Sequence, residues 1–349
     1  MRVKRLAALL ISGVMAVSVL TGCGGVNKEA TVATLDGEAV SLGVANFAAR
    51  LQQASYDDFY VAYFGEEVWT SDMSGDGTTM QDNLKEGVMT AMQTMYTLQK
   101  HMGDYGVEIT DEEKSSIADA ASQFIASNEK DALEALGATQ EIVEEYLTLV
   151  TIQTKMRAAI ILDADTDVSD EEAKTGAYSY VRVSKTTYMD EEGNSVEYTE
   201  EQLNELSETL ADMAAEAKTD TLETAAESCG YTVSTGTFTQ DSETLDAAVL
   251  DALKGLEEGE VSDVIDTDAN YYVLRLDLET DPDATEQNRQ TIITQRQDDY
   301  YNDILSAWEE EHEWVVDEKV WSSVTFDNLF TTVPPSTETE SAEDTESVG

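Results

Sequence analysis

The apolar positions along the chain change period twice, and those changes divide it. "TVATLDGEAVS" (31–41) alternates on either side of Asp36-Gly37 and predicts strand, turn and strand. Ser41 stands where a helix cap belongs, and Val44, Phe47, Ala48, Leu51 and Phe59 then recur at helical spacing. A helix over about 82–102 carries Leu84, Val88, Met92, Met95, Tyr96 and Met102 on one side. Thr110 with Glu113 makes a capping box, and the helical pattern runs on to about Leu162 with a break near Gly137. "ADTDVSDEE" (164–172) is a polar linker with a second box, Ser169 to Glu172. The pattern then turns to alternation. "AYSYVRVSKTTYM" (177–189) predicts a strand, and "DEEGNS" turns it into a second, "VEY". Thr199 and Gln202 open a helix to about Ser228, "YTVSTGTFT" (231–239) is β-like, and "ETLDAAVLDALKGL" (243–256) is a short helix. "GLEEGEVSDVIDTDANYYVLRLD" (255–277) reads as strand, turn and strand. A long helix starts at Asp283, with Asp283 and Glu286 at its cap and Ile293, Tyr300, Ile304, Leu305 and Trp308 as its stripe. "EWVVDEKVW" (313–321) is extended, and no internal repeat is evident.

The pattern predicts an α+β chain. A helical domain over 31–168 is completed by a returning helix and strand over 282–331, and a small β-α-β domain over 169–281 is inserted between them. "PPSTETESAEDTESVG" (334–349) is proline-led and acidic, so 332–349 reads as a disordered tail.

The first residues add a location. Arg2, Lys4 and Arg5 precede the apolar run "LAALLISGVMAVSVL" (6–20), which ends in "LTGC". A basic start, a short apolar stretch and small residues before a cut make an export leader, 1–22. A small residue immediately before Cys23 resembles a bacterial lipobox. The resemblance implies diacylglycerol on the Cys23 sulfur, cleavage before Cys23, and a tether over 23–30. Two acyl chains anchor stably where one does not. The apolar stretch is short for a membrane-spanning helix of ~20 residues.

Charge narrows the partners. The chain has 349 residues with 72 acidic against 20 basic, a formal net charge of −52. Phosphate backbones and anionic headgroups are repelled by such a surface, which excludes nucleic acid. Basic or unfolded polypeptides and weakly held calcium are favoured. In "TSDMSGDGTTMQDN" (70–83), Asp72, Ser74, Asp76 and Gly77 fit half of an EF-hand loop, but the closing position is Asn83 where a bidentate Glu belongs. A solvated acidic loop is the expectation there. Cys229 is the other cysteine, and the two histidines are His101 and His312. That inventory argues against zinc and iron–sulfur centres and against a Ser/His/Asp set, so no cofactor or metal is expected.

With the lipobox, the order of elements resembles the PrsA/SurA group of extracytoplasmic foldases. "TVATLDGEAVSLGVANF" (31–47) resembles that family's N-terminal strand pair and first helix. "LKEGVMTAMQTMYTLQKHMGDYGVEITDEE" (84–113) resembles its helix–turn–helix, and "ALKGLEEGEVSDVIDTDANYYVLRLD" (252–277) the end of a parvulin-type peptidyl-prolyl isomerase domain. The family's two histidines fall on Tyr180, in "YSYVRV", and Tyr272, in "NYYVLRL". Cys229 falls near the family's acidic or thiol partner, before "STGTF" (234–238), on a shortened spacing, and from the residues themselves a buried structural thiol is the favoured reading. The resemblance implies a proline groove at Phe238, Leu245 and Leu253. It also implies a cleft for unfolded clients near Met92, Met95 and Tyr96, positions that otherwise read as core. The expected function is a membrane-anchored foldase binding newly exported polypeptides, with weak or no isomerase activity. The alternatives are an isomerase working through Tyr180 and Tyr272, and a solute-binding lipoprotein. The pattern sets no oligomeric state.

Overall fold

The computed structural model describes residues 16–19, 27–190 and 192–333. Cys23 and the tail beyond Val333 lie outside the described residues. In chain order the strands and helices are β1 (Ala16–Val19), β2 (Thr31–Leu35), β3 (Glu38–Ser41), α1 (Leu42–Phe64), α2 (Met80–Lys100), α3 (Asp111–Ser127), α4 (Lys130–Leu136) and α5 (Gln140–Ile160). They continue with α6 (Asp170–Ala173), β4 (Gly176–Ser184), β5 (Thr187–Met189), β6 (Ser195–Glu197), α7 (Glu200–Ala217), α8 (Leu222–Ser228), β7 (Ser234–Phe238) and α9 (Ala247–Gly255). The last are β8 (Ile265–Asp266), β9 (Asn270–Leu278), α10 (Pro282–Glu311), β10 (Trp314–Val316), α11 (Glu318–Trp321) and β11 (Phe330–Val333). The chain is α+β and forms two compact units. One joins residues up to Ala164 with those from Asp299 on, and the other is Asp165–Asp298. The breaks fall at 165 and 299 where the pattern placed them at 169 and 282, so α10 contributes to both.

The first unit is built on a hairpin. Asp36 and Gly37 both have positive φ, +49° and +82°, which gives the tight β2–β3 turn its primed geometry. β10 returns from the far end of the chain to pair with β2, giving the antiparallel order β10-β2-β3 with Trp314 opposite Leu35. Ser41 caps α1 by accepting the Val44 N–H at 3.3 Å. The core gathers Val32, Val40, Val44, Ala48, Trp69, Val88 and Met92, and Phe47 meets Phe124 and Tyr146 edge-on. The end of α10 packs Tyr301, Ile304, Leu305 and Trp308 against Leu98, Ile152, Met156 and Ile160. Ile293, counted in that stripe, lies outside this cluster.

Several boundaries differ from the pattern, each for a local reason. Asn128 ends α3 early by donating its side-chain N–H to the Phe124 carbonyl. Thr221 recaps the chain after a break, so the helix expected to reach Ser228 becomes α7 and α8. α10 is capped by Asp281, which accepts the Ala284 N–H, and not by Asp283. β11 extends through Val333, inside the span read as tail, and pairs with β1. Residues 16–19 belong to the span read as a leader, so on that reading the pairing ends when the leader is removed.

The second unit is an antiparallel sheet ordered β7-β4-β9-β8. Strand alternation sorts its residues. Tyr178, Tyr180, Tyr272, Leu274, Leu276 and Phe238 share one face, covered by Val249 and Leu253 of α9. Val181, Val183, Tyr271 and Val273 share the other, covered by Leu206, Leu210 and Met213 of α7 and Leu222 of α8. Arg275 ties α8 to the sheet through a paired contact with Glu223 at 2.7 and 2.9 Å, plus bonds to Asp277 and Ser179.

Candidate sites for peptide binding and prolyl rotation

Tyr180 on β4 and Tyr272 on β9 are on adjacent strands, offset by one step of the ladder: Tyr180 faces Leu274, and Arg182 faces Tyr272. Their ring centroids are 6.3 Å apart, tilted by 48°. The row continues from Tyr180 to Tyr178 at 5.4 Å and from Tyr178 to Phe238 at 6.0 Å. Phe238 and Leu253 are buried in this row and Leu245 packs against it, so the three groove candidates lie on the tyrosine face. No hydrogen bond joins the two tyrosine hydroxyls among the described residues. The two rings are neighbours on the face that carries the groove candidates.

Two glycines let the row close. A Cβ on Gly236 would stand 2.8 Å from the Tyr178 ring. A Cβ on Gly176 would stand 2.7 Å from Phe238 Cζ and 3.1 Å from the Leu278 carbonyl oxygen. Backbone on one side and a packed ring on the other leave nothing free to yield. Gly176→Ala is therefore expected to lower the stability of the second unit by about 1–3 kcal/mol. Tyrosine near-ultraviolet dichroism during urea unfolding measures this, and an unchanged midpoint would refute the packing argument.

Cys229 does not join the tyrosines. It packs, half-buried, with Tyr231 and Val233 in the cluster on the opposite face of the sheet. Proximity in sequence to "STGTF" misled here, because the turn after α8 delivers Cys229 to the α7–α8 layer. Cys229 therefore lies across the sheet from Tyr180 and Tyr272.

The three client-cleft candidates divide between core and groove. Met92 and Met95 are core residues packed with Trp69 and Leu149. Tyr96 is mostly covered and donates its hydroxyl to Glu145 at 3.1 Å; burial first, and that carboxylate second, raise its phenol. The methionines form only the floor of a groove of about 260 Å³, whose walls are Ala48, Leu51, Gln52, Ser55 and Tyr146. The acidic loop closes on itself, Asp72 accepting the Gly75 and Gly77 N–H groups, which leaves its oxygens engaged.

The exposed apolar surface lies elsewhere, at the C-terminal end of α1. Phe59 is 56% and Tyr63 72% exposed, and Tyr56 and Phe64 are exposed with them. Phe59 recurs at helical spacing with Val44, Phe47, Ala48 and Leu51, and the structure exposes it. The rings brace one another: Tyr56 stacks on Tyr60 at 5.3 Å, Phe59 meets Tyr63 at 4.6 Å, and Tyr60 meets Phe64 at 6.1 Å. Tyr60 rests on buried Trp69 at 5.7 Å, which meets Phe326 edge-on at 5.2 Å. The patch is thus continuous with the core and held rigid. The signal was present in the sequence as five aromatic residues within 56–64.

Comparison with known proteins bears on the second unit. Residues 183–286 match the family profile described as a PPIC-type PPIASE domain. Tyr272 lies inside the match and Tyr180 just before it. Among solved structures, the foldase protein PrsA from Streptococcus pneumoniae is 20% identical, with 73% of this chain and 97% of that chain covered and a TM-score of 0.30. Foldase protein PrsA from Lactococcus lactis is 15% identical, with 84% and 97% covered and a TM-score of 0.34. A SurA-like chaperone of Campylobacter jejuni is 12% identical, with 82% and 98% covered and a TM-score of 0.29. No curated protein matches the chain. Both histidines of the sequence, His101 and His312, belong to the first unit. The stretch of the second unit that is similar to a PPIC-type PPIASE domain, residues 183–286, therefore contains no histidine.

Proposed function

We propose that the chain is an exported, lipid-anchored foldase that holds non-native polypeptide on its first unit, with little or no prolyl rotation by its second. The exposed aromatic patch of α1 is the observation that carries this reading. A large braced apolar patch on an otherwise acidic surface is a docking surface. Its rings accept apolar side chains, and their faces accept the cations of lysine and arginine. With a net charge of −52, the chain selects segments that are both apolar and basic and repels other copies of itself. Such segments are exposed in newly exported chains before they fold. Anchoring rests on "LTGC" and Cys23. Among the described residues no helix is long and apolar enough to cross a membrane.

Prolyl rotation breaks no bond, so a rotation site requires an apolar groove and hydrogen bonds suited to the twisted amide. Tyr180 and Tyr272 put bulkier rings where the resemblance expects histidines, on the face of the groove candidates, which supports weak activity or none. Two assays on the same preparation test the reading. Suppression of aggregation of a basic, unfolded client is expected, with no acceleration of rotation in a proline-containing tetrapeptide. Rotation well above the uncatalysed rate would favour the tyrosine-substituted isomerase, and absence of both activities would remove the foldase reading. Weak calcium uptake by the acidic surface belongs to the same proposal, and calorimetry showing no heat at millimolar calcium removes that part.

A further inference from the structure

β11 is held on one side by the core, and its other side is taken by a segment that the export reading removes. On the held side the Phe330 N–H donates to Asp57 of α1 at 2.7 Å. Backbone groups of successive strand residues point to opposite sides, so Thr331 and Val333 aim their N–H and C=O groups the other way. There β1 pairs antiparallel, Ala16 with Val333, Val17 with Thr332, Ser18 with Thr331 and Val19 with Phe330. Ser18 and Ala16 are thus in hydrogen-bonding register with β11, and Val17 and Val19 are not. β1 also packs against α4. Phe330 of β11 and Leu136 of α4 belong to one buried cluster with Phe47 and Val143, which ties the two walls together without β1.

Once residues 1–22 are gone, the walls remain and the strand does not. An open edge is a template for another strand, and natural edges are guarded by charge, proline or a bulge. β11 reads "FTTV", with none of the charged residues and no proline. Pro334 and Pro335 come only after its last residue, and lacking an N–H they stop the ladder at four residues without blocking it. The segment seated there, "AVSV", is uncharged and made of small and β-branched residues.

We propose that the slot beside β11 and α4, filled by residues 16–19 before processing, afterwards takes an extended, uncharged, β-branched segment of non-native client as an added antiparallel strand. The inference rests on the foldase reading and deepens it. Asp57 lies in the stretch of α1 that carries Tyr56, Phe59 and Tyr63, so the helix that presents the exposed rings also anchors the edge. Four ladder residues add little grip beside the rings. They hold the client backbone extended and in one register, through main-chain bonds that tolerate many sequences. Until the leader is cut, the chain's own strand keeps the slot closed, because a tethered strand competes at roughly millimolar effective concentration.

The test compares the full chain with the chain from residue 23, made directly and carrying Cys23→Ser. Its outcome therefore does not depend on cleavage in the cell, and aggregation suppression reports on the foldase reading separately. The probe is a fluorescent peptide of residues 14–21, VMAVSVLT, with a lysine added at each end. Anisotropy is expected to show about 10-fold tighter binding to the shorter form. N-methylation of the peptide at its Ser18 position removes a ladder donor and weakens binding about 10-fold. N-methylation at its Val17 position, whose N–H points away from β11, changes binding by less than about 2-fold. Thr331→Pro removes the partner donor and costs about as much as the first methylation, with the tryptophan-reported transition as the check on folding. Equal binding to both forms of the chain, or equal effects of the two methylations, would overturn the slot. Binding indifferent to methylation but lost with Phe59→Ser and Tyr63→Ser would overturn it too, placing the peptide on the exposed rings.

Discussion

Asp57→Ala is expected to cost the first unit about 3–5 kcal/mol, the largest effect of any single substitution proposed for this chain. Asp57 has no exposed surface, yet three donors converge on it. Trp69 Nε1–H donates at 2.6 Å, the Phe330 N–H at 2.7 Å and Gln53 Nε2–H at 3.2 Å. Gln53 also donates to the Asn328 carbonyl at 2.6 Å and accepts from the buried Arg50 guanidinium at 3.1 Å. The carboxylate thus joins α1, the turn before α2 and β11. Alanine would leave the three donors unpaired in the interior, along with a buried cation, at about 1–3 kcal/mol for each orphaned group before relaxation. Burial, working against those donors, pushes the Asp57 carboxyl up to about 6. Burial also lowers Arg50 to about 10. Because the folded value lies above the unfolded one, the folded state holds the Asp57 proton more tightly. That contribution favours folding below about pH 4 and is lost as pH rises through about 6. The alanine variant should therefore lose more stability at pH 4 than at pH 7. All four tryptophans, 69, 308, 314 and 321, lie in the first unit, so their fluorescence follows its urea transition alone. Equal midpoints for variant and parent at both pH values would refute the network's role.

The second large effect is functional. Phe59→Ser combined with Tyr63→Ser should weaken client capture about 100-fold, because two aromatic faces worth roughly 1.5 kcal/mol each leave the surface. Both rings are solvent-exposed, and Tyr60 still covers Trp69, so the tryptophan-reported transition should move by only about 0.5 kcal/mol. Salt should weaken capture of a basic client by the parent protein as well, since the acidic flank acts over roughly a Debye length. Aggregation suppression undiminished in a variant of parental stability would place client binding elsewhere, the groove beside Leu51 being next in line.

What the sequence disclosed was what is local. Ser41, Thr110 with Glu113, and Thr199 with Gln202 act over three residues, and each caps as the pattern predicts. Alternation marked β4 and β9 as strands, while the resemblance, not the period, set Tyr180 and Tyr272 together, and the two strands do pair. Facts that depend on distant partners were not legible. Asp57 and Asp58 look alike in "SYDDFY", and only Trp69 and Phe330, 12 and 273 positions away, single out the first as buried. Helical spacing set Phe59 in line with Val44, Phe47 and Leu51, but whether a helix face is covered depends on what packs there. The same holds for Met92 and Met95, whose chemistry suits clients and whose position is the core. Cys229 shows the complementary error: it is close in sequence to the tyrosine strands and lies across the sheet from them.

The pairing of Trp314 with Leu35 sets a timetable for a chain that, on the proposed reading, crosses a membrane from its N-terminus. Residues 165–298 are contiguous and can condense as soon as they emerge. The β2–β3 hairpin must wait for a strand 279 positions later, and Asp57 must wait for Phe330. Long-range closures of this kind are slow. During that interval the rings of α1 stand without their buried support, so a chain exported as proposed would need, in its earliest moments, the protection it is proposed to give.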